Sequence, residues 1–218
     1  MALKLYKMDI SPPARAAMAI CDILNVPVEM IDINLQKKEH WAPEFLRKNP
    51  LHSVPVLEDG DFVLHDSHAI LAYLVDAYAS NDNLYPKNIK KRALVNQKLF
   101  FDNGILFQRL RNVTYEAFVE GITKVPLKKQ KDIEEAYGFL EQFLSQTKWL
   151  AGENMTIADI SAYAVTASML YIVKLDSKKY PKTLAWLDEM RKQPFNMKYS
   201  GALAQFGNFL ENTLELEK

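Results

Sequence analysis

Near residue 80 the chain changes its patterning, and that break constrains the fold more than any other feature. Before it, apolar runs are short and turn residues are frequent; after it, apolar residues recur at helical spacing over long stretches. In the first part, Leu3 to Tyr6 reads as a strand. Ser11-Pro12-Pro13 then opens a helix, since proline is tolerated in a first turn, with Ala16, Ala17, Ile20, Ile23 and Leu24 on its apolar face. Val28 to Ile33 alternates like a strand, and Pro43 to Lys48 reads as a short helix stopped at Asn49-Pro50. Val54 to Glu58 and Phe62 to His65 read as two strands turning at Asp59-Gly60. Ser67 to Tyr78 is then helical. The order β-α-β-α-β-β-α predicts a split βαβ sheet with one hairpin and helices packed over it.

The second part predicts helices only. They run from Ile89 to Glu120 with a break near Tyr115, then Leu127 to Gln146, Ile157 to Val173 and Pro181 to Lys192. Thr156 reads as an N-cap, with Asp159 closing a capping-box variant and Met155 and Ile160 at the staple positions. The polar, proline-ended stretch Ala79 to Pro86 suits a linker. The expected organisation is an α+β domain over 1–79, a linker over 80–86 and an all-α domain over 87–218.

Several function classes fall away. Lys+Arg and Asp+Glu both number 27, so no global positive field exists to hold a nucleic acid. The one cysteine, Cys21, forbids an internal disulfide and a cysteine-rich metal site, and within its apolar helix it reads as inert. Seven glycines include no G-x-G-x-x-G, and no metal site is expected. The N-terminus lacks the apolar core of a signal peptide. The longest uncharged stretch, Ile160 to Val173, is fourteen residues, too short to span a bilayer. The expectation is a cytoplasmic protein with no membrane or nucleic-acid partner. Lys128, Lys129 and Lys131 are balanced by Asp132, Glu134 and Glu135, which describes a solvated helix face.

Three short motifs can carry chemistry, and each also has a plain structural reading. Ser11 offers a hydroxyl at a helix start, where it can donate to an anion such as a bound thiolate, or simply cap the helix. Val54-Pro55-Val56 places proline in an apolar strand. With a cis bond at an edge it leaves Val54 free to pair with an extended peptide; with a trans bond it is a plain edge strand. Asp66-Ser67-His68 opens a helix directly after a strand. Its N–H groups suit a carboxylate and Asp66 suits an ammonium group, or the trio caps the helix and binds nothing.

The order and spacing of these motifs are more specific than any one of them. Ser11-Pro12-Pro13, Asn49-Pro50, Ser53-Val54-Pro55-Val56-Leu57, Asp59-Gly60 and Asp66-Ser67-His68-Ala69-Ile70 together resemble the glutathione-binding domain of cytosolic glutathione transferases. Leu84-Tyr85-Pro86 resembles that family's entry to its helical domain, and Ala151 to Asp159 its capping motif on a central buried helix. The resemblance covers essentially the whole chain and is nearest the insect delta and epsilon classes, with epsilon preferred because of His68.

That resemblance implies a thioredoxin-like first domain, a helical second domain, glutathione as co-substrate and a homodimer. It implies that Ser11 stabilises the glutathione thiolate. His40 and His52 would reach the glycine end, Val54, with a cis bond to Pro55, would make the main-chain bonds, and Ser53 would also bind glutathione. Asp66 and Ser67 would bind the γ-glutamyl end, with His68 and Arg111 near the ligand or the subunit interface. One departure is that these classes usually carry glutamate where Asp66 stands. The expected activity is conjugation of glutathione to small apolar electrophiles, as in detoxification, or a related elimination. A non-catalytic carrier on the same fold and an interaction module are the alternatives.

Physical magnitudes permit the chemistry. Lowering a thiol from its reference pKa of about 8.5 by roughly two units requires about 2.7 kcal/mol. One hydrogen bond to a charged group supplies about 1.5–3 kcal/mol, and a helix terminus about 0.3–1 kcal/mol. Ser11 therefore need not be a nucleophile, and no triad is required. Tyr6, at the end of the first strand, is a competing donor without the help of the helix terminus. The expected electrophile pocket takes Ile10, Pro12 and Leu35 from the first domain. From the second it takes Phe107, Leu110, Arg111, Thr114, Tyr115, Phe118 and Val119, several at three- and four-residue steps. Phe206, Phe209 and Leu210 would close it, and Arg109 and Arg111 can equally be solvated.

Overall fold

The computed structural model describes residues 3–218. Its main sheet has the order β2-β1-β3-β4, from β1 (Leu3–Lys7), β2 (Val28–Asp32), β3 (Val56–Asp59) and β4 (Phe62–His65). β1 and β2 are parallel, joined by the right length of crossover through α1 (Pro12–Leu24); β1–β3 and β3–β4 are antiparallel. The hairpin turns one residue later than the sequence suggested. Asp59 pairs with Phe62, so Gly60-Asp61 is the two-residue loop, and Gly60 supplies its positive φ of 64°.

The alternation of β1 sorts the two sheet faces. Leu3 and Leu5 point into a core with α1 and α3 (Ser67–Tyr78). Tyr6 and Met8 point the other way, against a smaller cluster formed by Val54, Val56 and Phe45 of the short helix α2 (Pro43–Leu46). α1 owes its burial to small residues. Ala14, Ala16, Ala17 and Ala19 let it lie close to its neighbours on several sides.

The second half is helical. α4 (Ile89–Phe101) continues through a π turn at Asp102–Leu106 into α5 (Phe107–Tyr115), and a second π turn at Glu116–Glu120 ends it at left-handed Gly121. The expected break near Tyr115 is thus a widening of the helix rather than an interruption. Then come α6 (Leu127–Leu144), α7 (Ile157–Met169), α8 (Pro181–Arg191), α9 (Pro194–Lys198) and α10 (Ser200–Thr213).

All thirteen residues of α7 are buried, and its start is built as the sequence indicated. The Asp159 carboxylate accepts from the N–H and hydroxyl of Thr156, and from Leu150 N–H and Trp186 Nε1. α7 stops at Met169, four residues short of the expected Val173. Beyond it Tyr171 lies under α10, where only a glycine at 207 leaves room: a Cβ there would sit 2.2 Å from the Tyr171 ring. Two very short parallel strands, β5 (Lys124–Val125) and β6 (Glu215–Leu216), tie the end of the chain to the loop after the second π turn. One apolar core runs from Leu5 and Ile20 through Ile70 to Leu110, Ile157 and Trp186.

Candidate active site

Ser11 ends the loop after β1. Its N–H donates to Met8 O at 2.9 Å, and its Oγ accepts from Ala14 N at 3.4 Å, so it caps α1 while its own hydroxyl proton stays free to donate. Pro12 and Pro13 have no N–H. At this helix start the Ser11 hydroxyl is therefore the donor on offer to an anion, backed by the positive end of α1. Tyr6, the rival, faces α2: it gives its hydroxyl to Glu58 at 3.0 Å and meets Phe45 edge-on.

Across from Ser11 the Val54–Pro55 bond is cis, and β3 begins only at Val56. Val54 N–H and C=O enter no backbone hydrogen bond among the described residues. The approach to this step is shaped by Asn49, fully buried, whose Nδ2 donates to Ser53 O at 2.8 Å and to Ser53 Oγ at 3.1 Å, while its Oδ1 accepts from Leu51 N at 2.9 Å. Sequence reasoning used Asn49 as a helix stop and as part of the motif run, with no role of its own; its complete burial shows it to be the template of the turn. His52 takes a positive φ of 45° there and stacks on Trp41 at 3.8 Å, with His40 at 6.1 Å from it. Burial, with the neighbouring His52 and Lys38 charges, holds the His40 imidazole below its ordinary range, and its Nδ1 is buried without a partner.

These groups share one cleft of about 360 Å³ between the two halves of the chain. Met8, Ile10, Ser11, Pro12, Leu35, His40, His52, Ser53 and Val54 line one side; Phe107, Arg111, Thr114, Tyr115, Phe118, Val119 and Phe206 line the other. Arg111 lies over the Tyr115 ring at 4.6 Å and makes no ion pair among the described residues, whereas Arg109 is taken by Glu135. Phe118 stacks on Phe209 with centroids 4.3 Å apart, so Phe209 backs the cleft wall.

Two expectations about the pocket are corrected. Leu110 is 1% exposed and packs in the core, and Leu210 is fully buried. Taking Phe107 as the centre of the cleft face, Leu110 lies about 60° round the helix, on the side of Leu106 and Val113. Sequence reasoning also missed Met8, Pro13, Gln36 and Leu51 in the lining. Their neighbours in sequence were the only available signal.

Asp66 and Ser67 follow His65, which pairs with Val56, so they stand beside the Val54–Pro55 step but outside the cleft lining. Asp66 adopts a φ of 74° and caps α3, its Oδ1 accepting from His68 N at 2.9 Å and Ala69 N at 3.3 Å. The hydrogen bond to His68 holds the Asp66 carboxyl below the usual range, against the opposing effect of burial. The His68 ring turns away from the cleft. Its Nε2 meets Asp102 Oδ2 at 2.9 Å and its Nδ1 lies 3.3 Å from Asp66, while Ser161 Oγ donates to the same Asp102 oxygen at 2.5 Å. Burial alone would lower the imidazole pKa; the two carboxylates overcome it and raise it to about 9. Cys21 is buried and its thiol is pushed up to about 12, chiefly by burial, so it takes no part. A groove of about 520 Å³ at the end of α6 and α8 is lined by Lys148, Glu153, Lys182 and Glu189, among others, and has none of these features.

A thioredoxin-like sheet with a cis-proline before β3, a serine-capped helix opposite it and a helical half closing an apolar cleft define a two-part fold for handling a peptide thiol. The comparisons agree. Family models for the glutathione S-transferase N-terminal and C-terminal domains match residues 5–82 and 97–194. The glutathione S-transferase 1 of Manduca sexta is 46% identical over 190 residues, 86% of this chain and 87% of its own. An epsilon-class glutathione S-transferase from the housefly Musca domestica superposes with a TM-score of 0.95 at 41% identity, covering 97% of this chain and 98% of that one. A glutathione transferase homologue from Drosophila mojavensis, solved with bound glutathione, gives 0.96 at 38% identity, covering 99% of each.

The chain belongs to the glutathione S-transferase family, with its likenesses among the insect epsilon and delta classes. It is a glutathione transferase, an enzyme that joins glutathione to electrophiles.

Proposed function

We propose that glutathione lies extended along the margin of the first domain, with its sulfur at Ser11 and its electrophile in the apolar half of the cleft. The observation that carries this reading is the Ser11 hydroxyl, free to donate at the start of α1 and opening onto a wall of Phe107, Phe118 and Phe206. Val54 N–H and C=O pair with the tripeptide's backbone in the manner of an added strand. His40, His52 and Ser53 receive its glycine end. Asp66 and Ser67 receive the γ-glutamyl end, Asp66 through the carboxylate oxygen not used for capping α3. His68 acts one step back, holding Asp66 and Asp102 in place.

The chemistry needs no covalent enzyme intermediate. The thiol proton leaves to solvent and the Ser11 hydroxyl donates to the thiolate. The sulfur attacks the electrophilic carbon held against the phenyl wall, a carbon–sulfur bond forms, and the leaving group departs with its electron pair. Pro12, Leu35, Thr114, Tyr115 and Val119 set the shape of the apolar half, and Arg111 can face a leaving group as it gains charge. Small apolar electrophiles, including foreign ones, are the substrates this wall accepts.

We infer the domain limits 1–79, 80–86 and 87–218 on the same footing, since α3 ends at Tyr78 and α4 starts at Ile89. A homodimer is supported by the outward apolar side chains Phe62, Ile89, Leu94 and Phe100, of which Ile89 is 84% exposed. No helix among the described residues is long and apolar enough to cross a membrane, and the proposed location is the cytosol.

The test is Ser11→Ala, read by the pH dependence of kcat/KM with a chromogenic aryl halide. Loss of one hydrogen bond to a charged acceptor raises the bound thiol pKa by about 1–2 units, with glutathione affinity nearly kept. An unchanged pH profile removes Ser11 from the role.

A further inference from the structure

We infer that Arg15 is a positioning residue for the serine centre: its guanidinium fixes the Ile10–Ser11 peptide and places an unpaired positive charge behind the thiolate. The inference rests on Ser11 being the sulfur's donor.

Arg15 lies one turn into α1 and is 5% exposed. Its Nη1 donates to Ile10 O at 2.8 Å, the carbonyl of the peptide that carries the Ser11 N–H. Its Nη2 donates to Ser168 Oγ at 2.7 Å and to Ala164 O at 3.2 Å, both on α7. One side chain therefore ties the serine loop to the most deeply buried helix of the protein. That anchoring holds the Ser11 backbone at a fixed height over the cleft, where small displacements of a donor are costly to catalysis.

The charge is the unusual part. Among the described residues no carboxylate lies within ion-pair distance of this guanidinium. The acids nearest in sequence are engaged elsewhere: Asp9 with Lys7 at 2.6 Å, and Asp22 with Lys198 at 2.7 Å and the Tyr199 hydroxyl at 2.6 Å. The titratable groups around it are the phenols of Tyr163 on α7, Tyr171 after it and Tyr199 before α10. Burial holds Tyr163 and Tyr199 in their neutral form. Burial also lowers the guanidinium, to about 10, which leaves it charged at neutral pH.

Linking α1 to α7 requires only a neutral donor, and a buried cation without a counterion is an expensive way to make that link. What the cation adds is a field at the serine centre. The field acts beside the other polar groups that line the cleft, among them Ser11, His40, His52, Arg111 and Tyr115. At a separation on the order of 8 Å, with an effective dielectric of about 20–40, one unit charge lowers a thiol pKa by about one unit.

The experiment titrates the thiolate absorbance of glutathione bound to the whole enzyme, and the pH profile of kcat/KM, in four variants. Arg15→Met removes the charge at similar volume and is expected to raise the bound thiol pKa by about one unit. Activity then falls about fivefold at about pH 6.5, approaches a tenfold loss at lower pH and recovers in alkali. Ser168→Asp keeps the guanidinium but pairs it with a carboxylate, and is expected to raise the same pKa. Arg15→Lys keeps a charge and is expected to stay near the parent value. Ser11→Ala is the reference.

A loss of activity in Arg15→Met that is equal at every pH, with the thiol pKa unmoved, overturns the inference and leaves Arg15 a structural strut. If Arg15→Met does not fold, Ser168→Asp decides the matter by the same readout. If neither folds, Arg15 is a folding determinant and the inference fails. An unmoved thiol in Ser11→Ala overturns the donor assignment itself. A shift in Ser11→Ala without one in Arg15→Met overturns only the role of Arg15.

Discussion

Replacing His68 by glutamine removes the one countercharge that, among the described residues, is bonded to the buried Asp102 carboxylate, which has no exposed surface and, among the same residues, one oxygen without a partner. The cost depends on pH in a way the structure fixes. The His68 pKa is about 9 in the folded chain, where burial is overcome by Asp102 and Asp66, against an ordinary value of about 6.5 when unfolded. The folded state thus binds this proton more tightly. Its contribution is fully present below about pH 6.5 and disappears as pH rises through about 9. A difference of about 2.5 at about 1.36 kcal/mol each gives a ceiling of about 3 kcal/mol. The residue is only 14% exposed at its side chain, so solvent screening removes little of this. By linkage the contribution is about 3 kcal/mol at pH 6, about 2 at pH 7.5 and close to zero at pH 9.5. Urea denaturation of the parent and His68→Gln at those three pH values, at one fixed protein concentration because association adds to stability, measures it. The gap between parent and variant should close as the pH rises. A gap that is the same at pH 6 and pH 9.5 would show that His68 is neutral in the fold and refute the charge argument.

Leu110→Ala should cost about 3 kcal/mol of stability, as a buried leucine does, while the KM for both substrates stays within about twofold. Steady-state kinetics with a raised KM for the electrophile would return Leu110 to the pocket. Asp159→Ala strips the acceptor from Leu150, Thr156 and Trp186 at once and should lower stability by about 3–5 kcal/mol; a denaturation midpoint near that of the parent would mean that water replaces the carboxylate.

What the sequence disclosed was local. The Thr156–Asp159 box, the Ser11 cap and the β3–β4 hairpin each depend on residues a few positions apart, and each was readable from spacing. The cleft wall was readable in part, because Phe107, Arg111, Thr114 and Phe118 share a helix face. Leu110 was misjudged because a three-residue step only brings side chains near one another; which edge of the face turns inward depends on α6 and α7. The longer-range parts gave no signal. His68 meets Asp102 across 34 positions, and Arg15 meets Ser168 across 153. Two-residue strands such as β5 and β6 carry no periodicity to detect. The π turn at Asp102–Leu106 widens a helix whose sequence looks continuous, and it sets the phase of every residue after it.

The uninterrupted interior has a practical meaning for anyone wishing to dissect the enzyme. A gene divided at the codons for Ser80 to Pro86 would encode a first fragment whose α1 has lost the wall of α7, leaving alanines, Ile20 and an orphaned guanidinium facing water. Such a half would be expressed as a sticky, poorly ordered product and not as a small glutathione-binding module. Swapping halves between relatives will therefore succeed only when the seam along α1 and α7 is exchanged as a matched pair.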